Sequence, residues 1–253
     1  MKNVLNKLTD PQFILRLPGT IKFRLIRFVH EKIIFRSASK ETIFTSIWRN
    51  NYWGNTESVS GLGSTLAQTA ELRQKIPTMF RDYGIKAVFD APCGDMNWMQ
   101  YLLDGAEFTY IGGDIVGGII ENNKRLFSNQ NVKFAQFDIT ADVFPDADVW
   151  LCRHVLFHFS NQDIYLALEK FAESNIQYIL TTNCVTDDSH TNKDIATGDW
   201  RSLNLMLPPF NFPKEPLWEI ADFVHPHPPL TISLWTRKQI QDVLPNLRKI
   251  YKK

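Results

Sequence analysis

Hydrophobic and polar positions change their period several times along the chain, and each change marks an element. In the first forty residues Phe13, Ile14, Leu17, Ile21, Leu25, Phe28, Val29 and Ile33 recur at roughly helical spacing, with Arg16, Lys22, Arg24, Arg27, Lys32 and Arg36 between them. Residues 44–63 are polar and turn-rich around Trp48 and Trp53 and read as an ordered loop. A helix follows: Thr65 with Gln68 offers a capping box, Leu66, Leu72, Ile76, Met79 and Phe80 share one face, and Gly84 ends it. Short apolar runs then predict strands at 86–90, 108–114, 132–137, 148–152 and 177–182. Helices are predicted between them at 97–103 and 119–127, and from a Ser160–Asp163 cap to about 174. Residues 183–215 are irregular and Pro-rich, and 216–224 and 230–236 add two closing strands. Strands separated by short helices form βαβ units. The expectation is an α/β fold: a doubly wound, mostly parallel, seven-stranded Rossmann-like sheet with an N-terminal helical extension.

Composition narrows the class. A chain of 253 residues, 44% hydrophobic and 22% charged, buries one sizeable core and is neither fibrous nor disordered. Its formal net charge of +1 argues against a nucleic-acid partner. That total hides an asymmetry. Nine of the 28 basic residues but only Asp10 and Glu31 fall within residues 1–40, net +7, leaving 19 basic against 25 acidic residues, net −6. Such an arm suits peripheral contact with an anionic membrane or an acidic partner, or packing on its own domain or a second subunit. No apolar run is long enough to span a membrane, and the start lacks the apolar centre of a secretory signal, so a cytoplasmic location is expected. Cys93, Cys152 and Cys184 are too few and too dispersed for a disulfide framework or a zinc site.

The chemistry gathers at the strand ends, where doubly wound sheets bind ligands. Those ends read DAPCGDMNW, GGDI, FDIT and LCRHVLFHF, and three of them carry an acid, Asp90, Asp114 and Asp138. A dinucleotide site needs G-x-G-x-x-G, but with Gly94 as the central glycine this loop has Pro92 and Asn97 at the other two places. Asp95 would also face the pyrophosphate. S-adenosylmethionine carries no phosphate. Asp90 suits its ammonium, the backbone of residues 92–95 its carboxylate end, and Asp114 its ribose diol, with Ala91, Pro92, Cys93 and Gly94 as the cofactor-binding loop. Asp138 suits the adenine amino group, with Ile115 and Ile139 on the ring faces, and Arg153 suits a further cofactor contact or an anionic acceptor.

VFDAPCGD, YIGGDI and VLFHF resemble the first, second and fourth motifs of class I S-adenosylmethionine-dependent methyltransferases, over about 84–183. Pro92 departs from the usual first-loop glycine. WGNTESVSGLGST, DAPCGDMNW and TGDWRSLNLMLPPFNFP look like a bacterial subfamily often found near surface-polysaccharide genes. The resemblance implies a methyltransferase domain at 65–253, with a substrate-loop insertion at about 183–215, preceded by a basic arm and aromatic loop at 1–64.

Methyl transfer to a hydroxyl needs aligned reactants and a base. His158, after the fourth strand, is the candidate base, with an ionisation expected near neutrality; buttressing the loop is its other reading. Trp53, His154, Asp194, Asp199, Trp200 and Arg201 are candidates for the acceptor, and rings mixed with hydrogen-bonding groups suit a small polar or glycan acceptor, hence carbohydrate modification. A lid or interface loop rigidified by prolines is the other reading of residues 183–212. Asp187, Asp188 and His190 are too weak a set to imply a metal, and none is expected. N- or carboxyl-methylation of a specialised metabolite, and a non-catalytic binding subunit, are the alternatives.

Overall fold

The short apolar runs pair side by side, as strands buried on both faces do. In the computed structural model, which describes residues 35–223 and 229–252, they are β1 (Ala87–Asp90), β2 (Thr109–Asp114), β3 (Val132–Gln136), β4 (Val149–Cys152) and β5 (Tyr178–Cys184). Two closing strands follow, β6 (Trp218–Phe223) and β7 (Leu230–Thr236). The sheet order is β3-β2-β1-β4-β5-β7-β6, with β1 to β5 parallel and β7 antiparallel to both neighbours. The strand order therefore reverses beside β1, where β1 lies between β2 and β4, and a ligand crevice is expected at that point.

Helices cover both faces: α1 (Lys40–Arg49), α2 (Ala70–Asp82), α3 (Gln100–Leu103), α4 (Gly117–Phe127), α5 (Asn161–Glu173) and α6 (Arg237–Tyr251). One core layer holds Trp150, Phe171, Trp235 and Leu244, and the other Leu72, Ile76, Tyr110 and Leu180. Ser160 caps α5 as the sequence predicts, its hydroxyl accepting the Asp163 N–H at 3.1 Å.

Three expectations are corrected. Residues 44–49 are the second half of a helix, not loop, because Ser39 caps α1 and Ile43 and Ile47 supply a buried face. Thr65 closes a short 3-10 turn, and α2 begins only at Ala70 with no side-chain cap at Thr69. The C-terminal helix α6 has no counterpart in the expected elements; Ile240, Leu244 and Leu247 bury its face beneath a full capping box from Thr236 and Gln239. The expected arm helix over residues 13–33 lies outside the described residues.

Helix α1 positions the site. Gly118 lets it approach: a β-carbon there would lie 2.4 Å from the Trp48 ring. Lys40 reaches Asp138 and Asp163, both at 3.5 Å, and Gln136 donates to Glu41 at 3.0 Å. Among the described residues no helix is long and apolar enough to cross a membrane.

Ser160→Ala should remove one capping bond and lower the unfolding free energy by about 1 kcal/mol, read as a lower urea midpoint at unchanged slope. An unchanged midpoint would mean that the cap does not hold α5.

Candidate active site

The carboxyl ends of β1 to β4 open on one cavity of about 570 Å³. Its floor is Asp90, Pro92 and Cys93 after β1, Asp114 to Val116 after β2, and Phe137 to Ile139 after β3. Arg153, His154, Phe157 and His158 follow β4, and Phe44, Ile47 and Trp48 of α1, with the 52–64 loop, close the outer side.

Asp90 and Asp114 are buried, at 3% and 6% exposure. Asp90 Oδ2 accepts the Tyr110 hydroxyl at 2.7 Å, and its Oδ1 has no hydrogen-bond partner among the described residues. Burial pushes the Asp90 carboxyl up to about 7, against the opposing pull of the Tyr110 bond and the Arg153 charge. Asp114 accepts the Gly94 N–H at 3.1 Å and the Val116 N–H at 2.9 Å, yet burial still raises it to about 6. The Gly94 bond ties the β1 loop to the end of β2, and φ +58° makes glycine the natural residue there. Asp138 differs from these two: its Oδ1 accepts the N–H and hydroxyl of Thr140, and Lys40 lies beside its Oδ2.

The β1 loop satisfies its own donors. Cys93 N–H bonds the Gly113 carbonyl, Gly94 N–H bonds Asp114, and Asp95 N–H bonds the Ser60 hydroxyl. With Pro92 lacking an N–H, no donor of residues 92–95 remains for a ligand carboxylate, contrary to the sequence expectation. The Asp95 carboxylate is also turned from the cavity, where it accepts the Ser58 and Ser60 hydroxyls and the Val59 N–H. It fastens the 58–60 loop and does not line the cavity, contrary to the expectation that it would face a pyrophosphate.

The β4 end holds a charge cluster that the sequence did not reveal. Asp222 on β6 is fully withdrawn from solvent in its side chain and accepts two donors of Arg153, Nη2 at 2.6 Å and Nε at 3.0 Å. His154 Nε2 lies 2.8 Å from its other oxygen. The Arg153 and His154 partners hold Asp222 far below the usual carboxylate range despite its burial. Burial and the adjacent Arg153 charge lower His154. Arg153 Nη2 also donates to the Gly63 carbonyl at 2.7 Å, its guanidinium lies 5.4 Å from the Trp98 ring, and its Nη1 has no partner among the described residues.

His158 is 9% exposed and packs against Trp53, ring centroids 4.5 Å apart. Its Nδ1 lies 2.8 Å from the Asp199 carbonyl, which can only accept, so Nδ1 carries the proton and Nε2 the lone pair. Burial lowers the ring to about 4, not near neutrality as the sequence suggested.

Of the other expected residues, Trp53, Ile115, Ile139, Asp199 and Trp200 line the cavity. Ala91 lies beneath it, its carbonyl accepting Trp150 Nε1. Asp194 and Arg201 are not in its wall: Asp194 accepts the Asn161 N–H, and Arg201 donates to the Phe159 carbonyl and Asn161. Asp187, Asp188 and His190 each take a separate partner, Ser189, Lys214 and the Ser202 carbonyl.

No protein-family model matches the sequence, nor does any curated protein. Solved structures do match. Human N-acetylserotonin methyltransferase in complex with SAM superposes with a TM-score of 0.53 and 13% identity, covering 83% of this chain, which spans 65% of that one. Magnesium protoporphyrin IX methyltransferase from Synechocystis PCC 6803 with bound SAH matches with a TM-score of 0.52 and 10% identity, over 79% of this chain and 100% of that one. The same enzyme with bound SAM gives 0.52 and 11% identity, over 79% and 98%. The chain shares the fold of these methyltransferases.

Because Asp90 binds its proton more tightly in the folded chain than unfolded, its contribution to stability is full below about pH 4 and is lost as pH rises through about 7. Asp90→Asn keeps a Tyr110 partner without the charge. It should therefore melt above the wild type at pH 8, by more than about 1 kcal/mol, with the difference shrinking toward pH 4. A variant no more stable than wild type at pH 8 would show that the carboxylate is not strained by burial.

Proposed function

We propose that the cavity binds S-adenosylmethionine and that the chain is a methyltransferase acting on a hydroxyl. One observation carries the cofactor assignment: Asp90 offers a buried carboxylate with a spare oxygen to the cavity, an arrangement that calls for a cationic ligand. The ammonium of the cofactor satisfies it. Asp114 keeps acceptor capacity for the ribose diol, and Asp138 with Ile115 and Ile139 frames the adenine. Arg153 Nη1 is the available donor for the amino-acid carboxylate, in place of the loop backbone. A dinucleotide would instead bring its pyrophosphate to a β1 loop with no free N–H, beside the Asp90 carboxylate.

When bound, S-adenosylmethionine supplies an electrophilic methyl on a sulfonium. The chain's own residues orient the acceptor, exclude water and take the proton. His158 fits the last task, since its Nδ1 bond to the Asp199 carbonyl leaves the Nε2 lone pair as acceptor. Lowered by burial, the ring stays neutral at any pH above about 4, so it contributes no ionisation to the rate between pH 6 and 8. Trp53 against one face of the ring holds its orientation.

Calorimetry should show S-adenosylmethionine and S-adenosylhomocysteine binding and NAD silent. Asp114→Ala should weaken both by about ten- to a hundred-fold. With methyl-labelled cofactor and a panel of hydroxyl acceptors, His158→Ala should lower turnover by ~10²–10⁴ at near wild-type cofactor affinity. NAD binding would overturn the cofactor assignment. Full turnover by His158→Ala would remove it as base, leaving N-methylation of an unprotonated nitrogen, which needs none.

A further inference from the structure

We infer that the acceptor is an uncharged, ring-bearing hydroxyl compound, and that Asp222 determines this specificity by occupying both Arg153 and His154. The inference rests on the proposed cofactor only for which end of the cavity the acceptor fills. The wall beyond Arg153 is built of rings. His158 lies 4.5 Å from Trp53 and 4.6 Å from Phe157, His154 lies 5.5 Å from Phe157, and Trp200 stands 44% exposed at the rim. Such faces favour stacking with a flat or ring-shaped partner.

Charge supplies the other half. Arg153 is the only Lys or Arg among the described residues lining the cavity, whereas Asp90, Asp114, Asp138 and Asp199 all line it. Asp222 takes two donors of Arg153, and Gly63 shares one of them. The same carboxylate holds His154 Nε2, a second group near β4 that protonation could make cationic. Burial lowers His158, the third, to about 4 and keeps it neutral at pH 7. An acceptor carrying a carboxylate or phosphate would lose its hydration in this space. It would share the cavity wall with the Asp199 carboxylate and find its one candidate side-chain cation already neutralised. An unpaired buried charge of that kind is strongly disfavoured. Neutral hydroxyl compounds incur no such penalty. Asp222 thus acts through Arg153 and His154 and is a specificity-determining residue, not a catalytic one.

The test uses two probe pairs that each differ by a carboxylate: methyl 4-hydroxyphenylacetate with 4-hydroxyphenylacetate, and phenyl glucoside with phenyl glucuronide. Affinities are measured at pH 7 on the full chain, both free and saturated with S-adenosylhomocysteine. In at least one pair the neutral member should bind at least about tenfold more tightly than its acid. Asp222→Asn should narrow that ratio by freeing Arg153. Arg153→Leu/Asp222→Leu, which leaves neither charge unpaired, should keep it on the free chain, where the lost Arg153 contact to the cofactor plays no part. Acids that bind as tightly as their neutral partners, or no measurable binding by any of the four probes, would overturn the inference; so would an unchanged ratio in Asp222→Asn or a lost one in the double variant. If neither variant folds, the wild-type ratios decide alone. Failure of the cofactor assignment is separate, since it shows as absent S-adenosylhomocysteine binding while the ratios are still read on the free chain.

Discussion

A carboxylate taken out of water must find a partner or a proton, and this site is organised around two that are only partly satisfied. Asp90 and Asp114 end adjacent parallel strands whose register sets Asp90 beside Gly112. Asp114 uses its oxygens to tie the β1 loop to β2, which fixes the floor of the cavity. Asp90 receives one hydroxyl from Tyr110 and otherwise faces the cavity. Burial raises both carboxyls toward neutral pH, a destabilising arrangement that a cationic ligand relieves. Sites that sacrifice stability in this way are where function is expected.

Around that floor the remaining contacts are fastenings. Asp95 holds the 58–60 loop, Lys40 and Gln136 hold α1, and Arg153 joins β4 to β6 through Asp222 and to the 61–63 loop through the Gly63 carbonyl. The segment before α2 therefore supplies walls of the cavity that the sheet alone lacks. Asp222 compensates the one guanidinium that lines the cavity among the described residues, and under the proposed function this leaves the acceptor end without a free cation.

Much of this was legible in the sequence because the sheet's central strands are short apolar runs closed by acids. The five parallel strands, the Ser160 cap and the placement of Asp90, Asp114 and Asp138 at one edge follow from local pattern. Other features depend on distance or on a broken pattern. Asp222 sits 69 residues from Arg153 on a closing strand, WEIADF, where it and Glu219 both look like ordinary solvent-facing acids. Its nearness to Arg153 arises only when β6 joins the sheet's far edge. Helix α6 has no counterpart in the sequence reading, although Ile240, Leu244 and Leu247 keep helical spacing on either side of Pro245. Asp194 and Arg201 looked like ligand contacts because polarity in a loop signals function and internal hydrogen bonding equally.

The most direct measurement is the proton balance of cofactor binding. Titrating S-adenosylmethionine at pH 6.5 in buffers of different ionisation enthalpy reads the number of protons exchanged. With Asp90 ionising at about 7, a cation seated on its carboxylate should expel most of one proton from the protein. That release should vanish near pH 9 and be absent in Asp90→Asn. Binding with no proton exchange at pH 6.5, or with the same exchange in Asp90→Asn, would contradict a buried carboxylate as the group that receives the cofactor.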